Sequence, residues 1–338
     1  MPIRIRCRDK WPYKPQMIEI TLIIAYVSRK PTVSYMDQSN YCSAIDQLMT
    51  LMQKTYEIEK NAPPPMSWDE YETKTLTAWD ELLSGPEAGD EGVIHRFLEQ
   101  NPSFIPGAFS FPASGHSPVF GGVFSKPPLT GIGTLVPDFM WIATATDLIY
   151  PVLIEIETPE KKWFTKKGQP TAEWTQARSQ IIAWKQWLNN AANKAVFIEQ
   201  YGPSSVFRHF EIKTQFVLVF GRRKEFDINT NLRGARSHQQ GHDEFHITFD
   251  RLRPDYNTRN YLSLKKSGDD VIALVVPPTI RLGPGLAPDL HLVKGRKEAA
   301  LREDRMSKER REFVARRFSY WDEWSKGSTH FYDASDSE

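Results

Sequence analysis

Three acidic side chains near the middle of the chain have a spacing that suits metal-dependent chemistry. Asp138 follows a proline, and a long apolar run ends in Glu155-Ile156-Glu157. If residues 151–157 form a strand, Glu155 and Glu157 point to one face, because side chains alternate with period two. Asp138 reaches the same place if the strand that it begins pairs with the strand that ends in Glu157. Three converging carboxylates repel one another unless a cation lies between them. We therefore predict a Mg²⁺ or Mn²⁺ site.

An ordinary half-exposed strand is the competing interpretation of this pattern. Charged residues alternate with aliphatic ones on many such strands. If only Glu155 and Glu157 are considered, this simpler explanation is favoured. The upstream Asp138 and the amphipathic helix predicted downstream, over residues 170–192, favour the metal site instead. We expect Ile154 and Ile156, on the other face of the strand, to be buried against this helix.

Composition limits the class of protein. The chain has 338 residues, more than one typical core, and 40% of them are hydrophobic and 25% charged, as in soluble globular proteins. A formal net charge of +1 requires any nucleic-acid surface to be local. Two cysteines, Cys7 and Cys42, exclude a disulfide framework and fit a reducing cytoplasm. The apolar run at 18–27 is too short for a membrane span and lacks a signal-peptide cleavage pattern. We expect a cytoplasmic protein without membrane association.

The order of elements predicts an α/β fold, because strands alternate with helices. The opening, residues 3–35, reads as strand-rich, with the most definite strand at 18–27. Gly85 to Gly89 reads as a linker. Helices are predicted over 41–60, 91–101, 170–192 and 294–324. A further helix is predicted to begin after Ser67, which would be its N-cap. A hairpin is predicted within 109–130, and further strands at 195–198, 216–220, 245–249 and 274–276.

The ordered set of motifs resembles a known nuclease group. Asp138, followed seventeen positions later by Glu155-x-Glu157, resembles the PD-(D/E)xK signature, and over residues 88–265 the chain resembles the Shedu antiphage nuclease family. The matching motifs are Glu91 with His95, Phe97, Leu98 and Asn101-Pro102, then Glu155-x-Glu157-x-Pro159, Gln180 with Trp184, FVLVFGR (216–222) and ITFDRL (247–252). The resemblance implies a PD-(D/E)xK restriction-endonuclease-like core with a mixed central sheet flanked by helices. We place it at 86–283, after an N-terminal accessory region (1–85) and before a charged helical C-terminal segment (284–338).

The resemblance also implies roles for individual residues. Asp138 and Glu155 would bind the metal, Mg²⁺ or Mn²⁺, and Glu91 would add an outer ligand. Gln180 would position the scissile phosphate or a metal-bound water. Glu157 would bind a second metal or accept a proton from water, because a cation lowers the pKa of bound water.

One departure from the family pattern concerns Glu157, which stands where the family usually has a lysine. Three interpretations stay open. Glu157 works in place of the lysine, as in some restriction endonucleases of this wider fold; a lysine has migrated to Lys161, Lys162 or Lys185; or the site is inactive.

Three other groups of residues are weaker candidates. His238, His242 and His246 stand four apart but are interrupted by Gly241, which argues against a zinc site. Residues 222–224, Arg-Arg-Lys, fit either contacts to DNA phosphates or a solvated turn. The alternating charges of 294–324 favour a solvated helix with i, i+4 ion pairs over a nucleic-acid tail.

The expected function is a metal-dependent DNA endonuclease in bacterial antiphage defence, with DNA as partner and a homo-oligomeric state. The alternative is a catalytically silent nuclease-fold module that binds DNA or acts as a sensor.

Overall fold

A mixed β-sheet organises the part of the protein that the structure describes. The computed structural model describes residues 54–111, 115, 117–145, 148–203, 205–229, 231–326, 332–333 and 335–338. The sheet has nine strands in the order β6-β5-β3-β2-β1-β7-β8-β9, and β4 pairs with the beginning of β3. The strands are β1 (Ser117–Ser125), β2 (Phe139–Ala145), β3 (Leu148–Ile156), β4 (Glu211–Ile212), β5 (Gln215–Val219), β6 (Glu244–Ile247), β7 (Leu262–Ser267), β8 (Asp270–Val275) and β9 (Val293–Lys294).

Strand direction determines which ends meet. β1, β2 and β3 pair antiparallel in sequence, whereas β3, β5 and β6 run parallel to one another. The carboxyl ends of β3, β5 and β6 therefore lie side by side at one edge of the sheet.

Helices flank this sheet and begin at side-chain caps. Asp90 accepts hydrogen bonds from the backbone of Gly92 and Val93, and Thr171 accepts one from Trp174, so each satisfies free amides in the first helical turn. The helices are α1 (Trp68–Ser84), α2 (Glu91–Gln100), α3 (Ala172–Asn189), α4 (Ala191–Tyr201), α5 (Lys224–Ile228), α6 (Asn231–Ser237), α7 (Ala287–Leu290), α8 (Arg296–Arg302) and α9 (Lys308–Ser325). Five 3₁₀ turns complete the described elements: Pro86–Gly89, Pro102–Phe104, Ser205–His209, Phe249–Arg251 and Tyr256–Thr258. The α/β prediction with a mixed, helix-flanked sheet is confirmed.

The two faces of the sheet carry separate apolar cores. Leu153 packs in the core that contains Ile181 and Trp184 of α3. Ile154 and Ile156 are fully buried, but they pack in the opposite core, with side chains of α1 and α2. The sequence predicts burial of both isoleucines against α3, and this assignment of the faces is wrong. Both faces of a central strand are covered here, so an aliphatic residue on either face becomes buried.

Several predicted elements need correction. Residues 195–198, predicted as a strand, lie in α4, where the buried Phe197 and Tyr201 stand one helical turn apart. Within the described part of 109–130 there is one strand, β1, whose antiparallel partner β2 lies beyond it. Residues 54–60, the described end of the helix predicted over 41–60, have no regular secondary structure. There Tyr56 packs between Trp321 and Trp324, so tertiary contacts override the helical pattern.

The charged C-terminal segment forms α8 and α9, as predicted, but α9 is not solvated all round. Arg310 and Arg317 are buried. Arg310 donates to the backbone oxygens of Pro63 (2.8 Å) and Ile280 (2.6 Å), and Arg317 pairs with the side chain of Glu338. These arginines therefore act as structural hydrogen-bond donors.

Two further expectations concern the membrane and the N-terminal region. Among the residues that the structure describes, no helix combines the length and apolar character needed to cross a bilayer. The strand predicted at 18–27 lies outside the described residues, and the three-part division of the chain stays a prediction.

Candidate active site

Pairing of β2 with β3 brings the first two carboxylates together. Phe139 lies opposite Ile154 in this antiparallel pair, so Asp138, one residue earlier, lies opposite Glu155. Glu157 follows the last residue of β3 and shares the face of Glu155. All three side chains are buried, with 3% (Asp138), 7% (Glu155) and 6% (Glu157) of their residue surface exposed. Buried carboxylates are unfavourable unless they are hydrogen-bonded or paired with cations.

Asp138 satisfies this requirement with two donors. Its Oδ2 accepts a hydrogen bond of 2.7 Å from the backbone N–H of Ile156, and its Oδ1 accepts one from the ammonium of Lys126. The backbone oxygen of Asp138 accepts a further bond of 2.8 Å from the Lys126 N–H. The carboxylate of Asp138 is therefore fixed between the end of β3 and the residue that follows β1.

Lys126 is a site residue that the sequence analysis misses. It lies directly after β1 with a φ of 47°, in the left-handed region that a residue with a side chain rarely adopts. Burial alone would lower the pKa of Lys126, but its hydrogen bond to Asp138 and the charges of Asp138, Glu91 and Glu155 raise it. A strained backbone that directs a cation at a buried carboxylate is typical of functional sites.

Glu157 is held by a second lysine. The ammonium of Lys161 donates to Glu157 Oε2, and the backbone N–H of Glu157 donates to the Val219 oxygen of β5 at 3.0 Å. The loop that carries Lys161 crosses close to Gly221. A Cβ at Gly221 would lie 2.6 Å from the Lys161 backbone oxygen, and φ there is 62°, so only glycine fits.

Glu155 has no such cation of its own. Its Oε2 is buried and has no hydrogen-bond partner in the described structure. Burial, followed by the negative charges of Asp138 and Glu157, raises the pKa of Glu155 to about 9, against the opposing effect of Lys126. At neutral pH the metal-free protein therefore holds Glu155 as a neutral carboxylic acid.

The first turns of α2 complete the cluster. Loss of hydration, and then the charges of Asp138 and Glu157, raise the pKa of Glu91, the first residue of α2. His95, one turn later, stacks on Phe139 with ring centroids 4.5 Å apart, and its Nε2 has no partner within the described residues. Burial, with the nearby Lys126, lowers the pKa of His95, so its imidazole is neutral at pH 7.

The donor types suit a hard divalent cation, since carboxylate oxygens are the ligands that Mg²⁺ and Mn²⁺ prefer. The unpartnered oxygen of Glu155 is the donor most open to such an ion. Within the described residues, however, no three His, Cys, Asp or Glu side chains are gathered in a way that could hold a metal ion. In this arrangement Lys126 and Lys161 balance the charge of Asp138 and Glu157.

Comparison with known families adds an independent observation at this point. Residues 88–252 match the model of a family described as Shedu protein SduA, C-terminal. Over this segment, which is just under half of the chain, the protein is similar to the Shedu family. A comparison with curated proteins finds no match. The Shedu segment contains all four acidic residues of the cluster, together with Lys126 and Lys161.

The remaining predicted site residues of the Shedu segment fall into two groups. Gln180 lies half-buried on α3 and makes no side-chain hydrogen bond within the described structure. Lys162 is exposed, and its side chain contacts neither Asp138 nor Glu157. Lys185 is engaged elsewhere, since its ammonium lies 2.6 Å from carboxylate oxygens of both Asp243 and Glu244. Of the three lysines considered as replacements, the structure brings only Lys161 to the carboxylates.

The weaker candidates have other surroundings. His246 is buried in β6, whereas His238 and His242 follow α6 in turns, so the three histidines do not share a helical face. Arg222 donates to Asp250 at 2.8 Å and to the Leu83 oxygen at 2.8 Å, which anchors the end of β5 to α1.

Proposed function

We propose that this protein is a metal-dependent DNA endonuclease of the PD-(D/E)xK type that acts in antiphage defence. The observation that carries the proposal is the buried cluster of Asp138, Glu155 and Glu157, in which Glu155 Oε2 has no hydrogen-bond partner among the described residues. A protein gains nothing in stability from a buried group in this state, so a function is the better explanation. The match of residues 88–252 to the Shedu family supports the defence role.

Asp138 and Glu155 would hold the metal, with Glu157 completing the set and Glu91 farther out. A bound ion would supply an activated water near neutral pH and would stabilise negative charge on the phosphate. In the reaction the oxygen of water bonds to phosphorus and one P–O ester bond breaks, leaving a hydroxyl and a phosphate monoester. Glu157 would accept the proton of the attacking water, and the leaving oxygen would take a proton from solvent.

The lysines would take over the role of the family lysine that Glu157 replaces. Lys126 and Lys161 place ammonium groups on two sides of the cluster, and each side chain is long enough to turn from a carboxylate toward a phosphate. An ammonium near the phosphate stabilises the charge that develops in the transition state. Lys126 and Lys161 thus form the expected phosphate-binding pair, and Gln180 keeps its proposed role in positioning the phosphate.

The test is cleavage of linear and circular duplex DNA with Mg²⁺, with Mn²⁺ and with EDTA. Wild type should cleave with either ion and not with EDTA. Glu155→Gln should lose cleavage, whereas Glu211→Gln, an exposed glutamate beside the opposite end of β3, should cleave like wild type. Cleavage in excess EDTA would contradict the metal mechanism, and cleavage by Glu155→Gln at the wild-type rate would contradict the assignment of the site.

A silent DNA-binding or sensor module is the second candidate function. The observation that favours it is that Lys126 and Lys161 already balance two of the carboxylates without a metal ion. This alternative predicts no cleavage with any divalent ion, together with DNA binding that weakens as salt increases.

A further inference from the structure

A second basic region lies on the same edge of the sheet as the carboxylate cluster. Residues that follow β5 and β6 line a cavity of about 750 Å³, and the carboxyl ends of these strands lie beside that of β3. Neighbouring strands are about 4.8 Å apart, so β6 lies roughly 10 Å from β3 along this edge. The lining includes five arginines and two aspartates: Arg223, Arg233, Arg236, Arg251, Arg253, Asp227 and Asp250.

The aspartates do not neutralise this arginine pocket. Asp227 accepts a bond of 2.9 Å from Arg233. Asp250 accepts one of 2.8 Å from Arg222, which lies outside the lining. Arg251 and Arg253 are exposed, and their side chains have no hydrogen bond or ion pair within the described structure. The pocket therefore keeps a net positive charge from arginines that have no carboxylate partner.

The inner wall of the pocket holds one guanidinium rigidly. Arg236 donates to the His246 backbone oxygen at 2.5 Å and packs over the rings of Trp163 (4.6 Å) and Phe226 (5.0 Å). Burial, with the like charge of nearby Arg251, lowers the pKa of Arg236. The negative charge of Glu225 opposes this effect but does not cancel it, so a bound anion would further reduce the repulsion between the two guanidinium groups.

A buried imidazole also lines the pocket. His246 lines the cavity with 3% of its surface exposed, and its Nδ1 has no partner in the described structure. Its Nε2 lies 2.9 Å from Glu244 Oε2. The pocket thus combines fixed and free guanidinium groups, whereas His246 supplies no donor to an anion, because its Nε2–H donates to Glu244 and leaves a lone pair on Nδ1.

We propose that the arginine pocket binds phosphate groups, namely those of the DNA backbone beside the cleaved bond. Guanidinium groups bind phosphate oxygens through paired N–H donors, which makes them the side chains best suited to this ligand. The distance of about two strands from the carboxylates would let one DNA chain reach both sites. The choice of DNA as the source of the phosphate rests on the proposed endonuclease function. A free phosphorylated molecule has the same chemistry and is the other source that the test distinguishes.

The experiment uses the full-length protein with Arg251→Gln and Arg253→Gln combined. The matched control combines Arg208→Gln with Arg302→Gln, two exposed arginines without a described partner, which carry the same change in charge. Arg208 precedes β4, beside the opposite end of β3. Thermal unfolding of each variant checks its fold.

Two probes are measured in EDTA, so that cleavage does not interfere. For duplex DNA, the slope of log affinity against log salt should fall by about 1 for each DNA phosphate that the variant no longer binds, with the control close to wild type. For inorganic pyrophosphate, calorimetry should show binding to wild type and control that is about tenfold weaker in the Arg251/Arg253 variant.

Each outcome decides the proposal. A loss confined to DNA supports the pocket and identifies the backbone as its ligand, whereas a loss confined to pyrophosphate supports it with a free phosphorylated ligand. Unchanged DNA slopes together with unchanged pyrophosphate binding overturn it, as does absence of both kinds of binding in wild type. If wild type neither binds nor cleaves DNA but the variant loses pyrophosphate binding, the nuclease proposal falls and the pocket stands.

Discussion

Replacing Glu155 with glutamine should change how the stability of the metal-free protein depends on pH. The substitution keeps the size of the side chain and imitates the neutral carboxylic acid that the fold favours. The pKa of Glu155 rises from an ordinary value of 4.5 to about 9, mainly through burial and then through Asp138 and Glu157. The folded protein therefore binds a proton that the unfolded chain releases between these values.

The sign and size of the effect follow from this difference. A carboxyl with a raised pKa in the folded state contributes its full stability below 4.5, and the contribution is lost as pH rises through about 9. Each pH unit between these limits changes the free energy of unfolding by about 1.4 kcal/mol. From about pH 5.5 to about pH 8, wild type should lose up to about 3 kcal/mol that Glu155→Gln does not lose.

Urea unfolding in EDTA at the two pH values measures this difference. Glu211→Gln serves as the control, because the exposed Glu211 should leave the wild-type pH dependence unchanged. Other titrating groups, such as His95, are common to all three proteins and cancel in the comparison. Equal pH dependence in wild type and Glu155→Gln would refute the claim that the cluster holds Glu155 protonated.

Two further predictions concern the lysines and the core. Lys126→Met should slow cleavage by about 10²-fold, because it removes a cation from the site, whereas the exposed Lys162→Met should cleave like wild type. A normal rate for Lys126→Met in a DNA-cleavage assay would show that this lysine only pairs with Asp138. Ile154→Ala should cost about 2–5 kcal/mol in the free energy of unfolding, because Ile154 is fully buried between the sheet and α1 and α2. Denaturant unfolding measures this cost, and a smaller value would mean that the core collapses around the cavity.

The sequence predicts that the three carboxylates lie close together, because their placement depends on local periodicity. Alternation along β3 determines the face of Glu155, and the short separation from Asp138 favours pairing of two neighbouring strands. The helix α3 is equally local, since its buried residues recur every three or four positions and Thr171 caps it.

Lys126 escapes sequence analysis because its role depends on tertiary pairing. Lys126 precedes Asp138 by twelve positions in the chain, and its ammonium reaches the Asp138 carboxylate only because β1 pairs with β2. Two prolines follow Lys126 and make the segment look like a simple break. The sequence also does not show which core Ile154 packs in. A strand that is covered on both sides has no polar face from which the direction of its side chains could be predicted.

The register of β2 against β3 is determined by apolar residues on the sheet face opposite to the carboxylates. A slip by one residue would separate Asp138 from Glu155 and relieve their repulsion, but it would also move Phe139 or Ile154 into the opposite core, which is packed around other side chains. Overpacking a core costs about 1–3 kcal/mol, so the packing of the apolar side chains keeps the carboxylates in register. Substitutions that change the volume or polarity of these apolar residues would therefore displace the carboxylates, while every charged residue of the cluster stays the same.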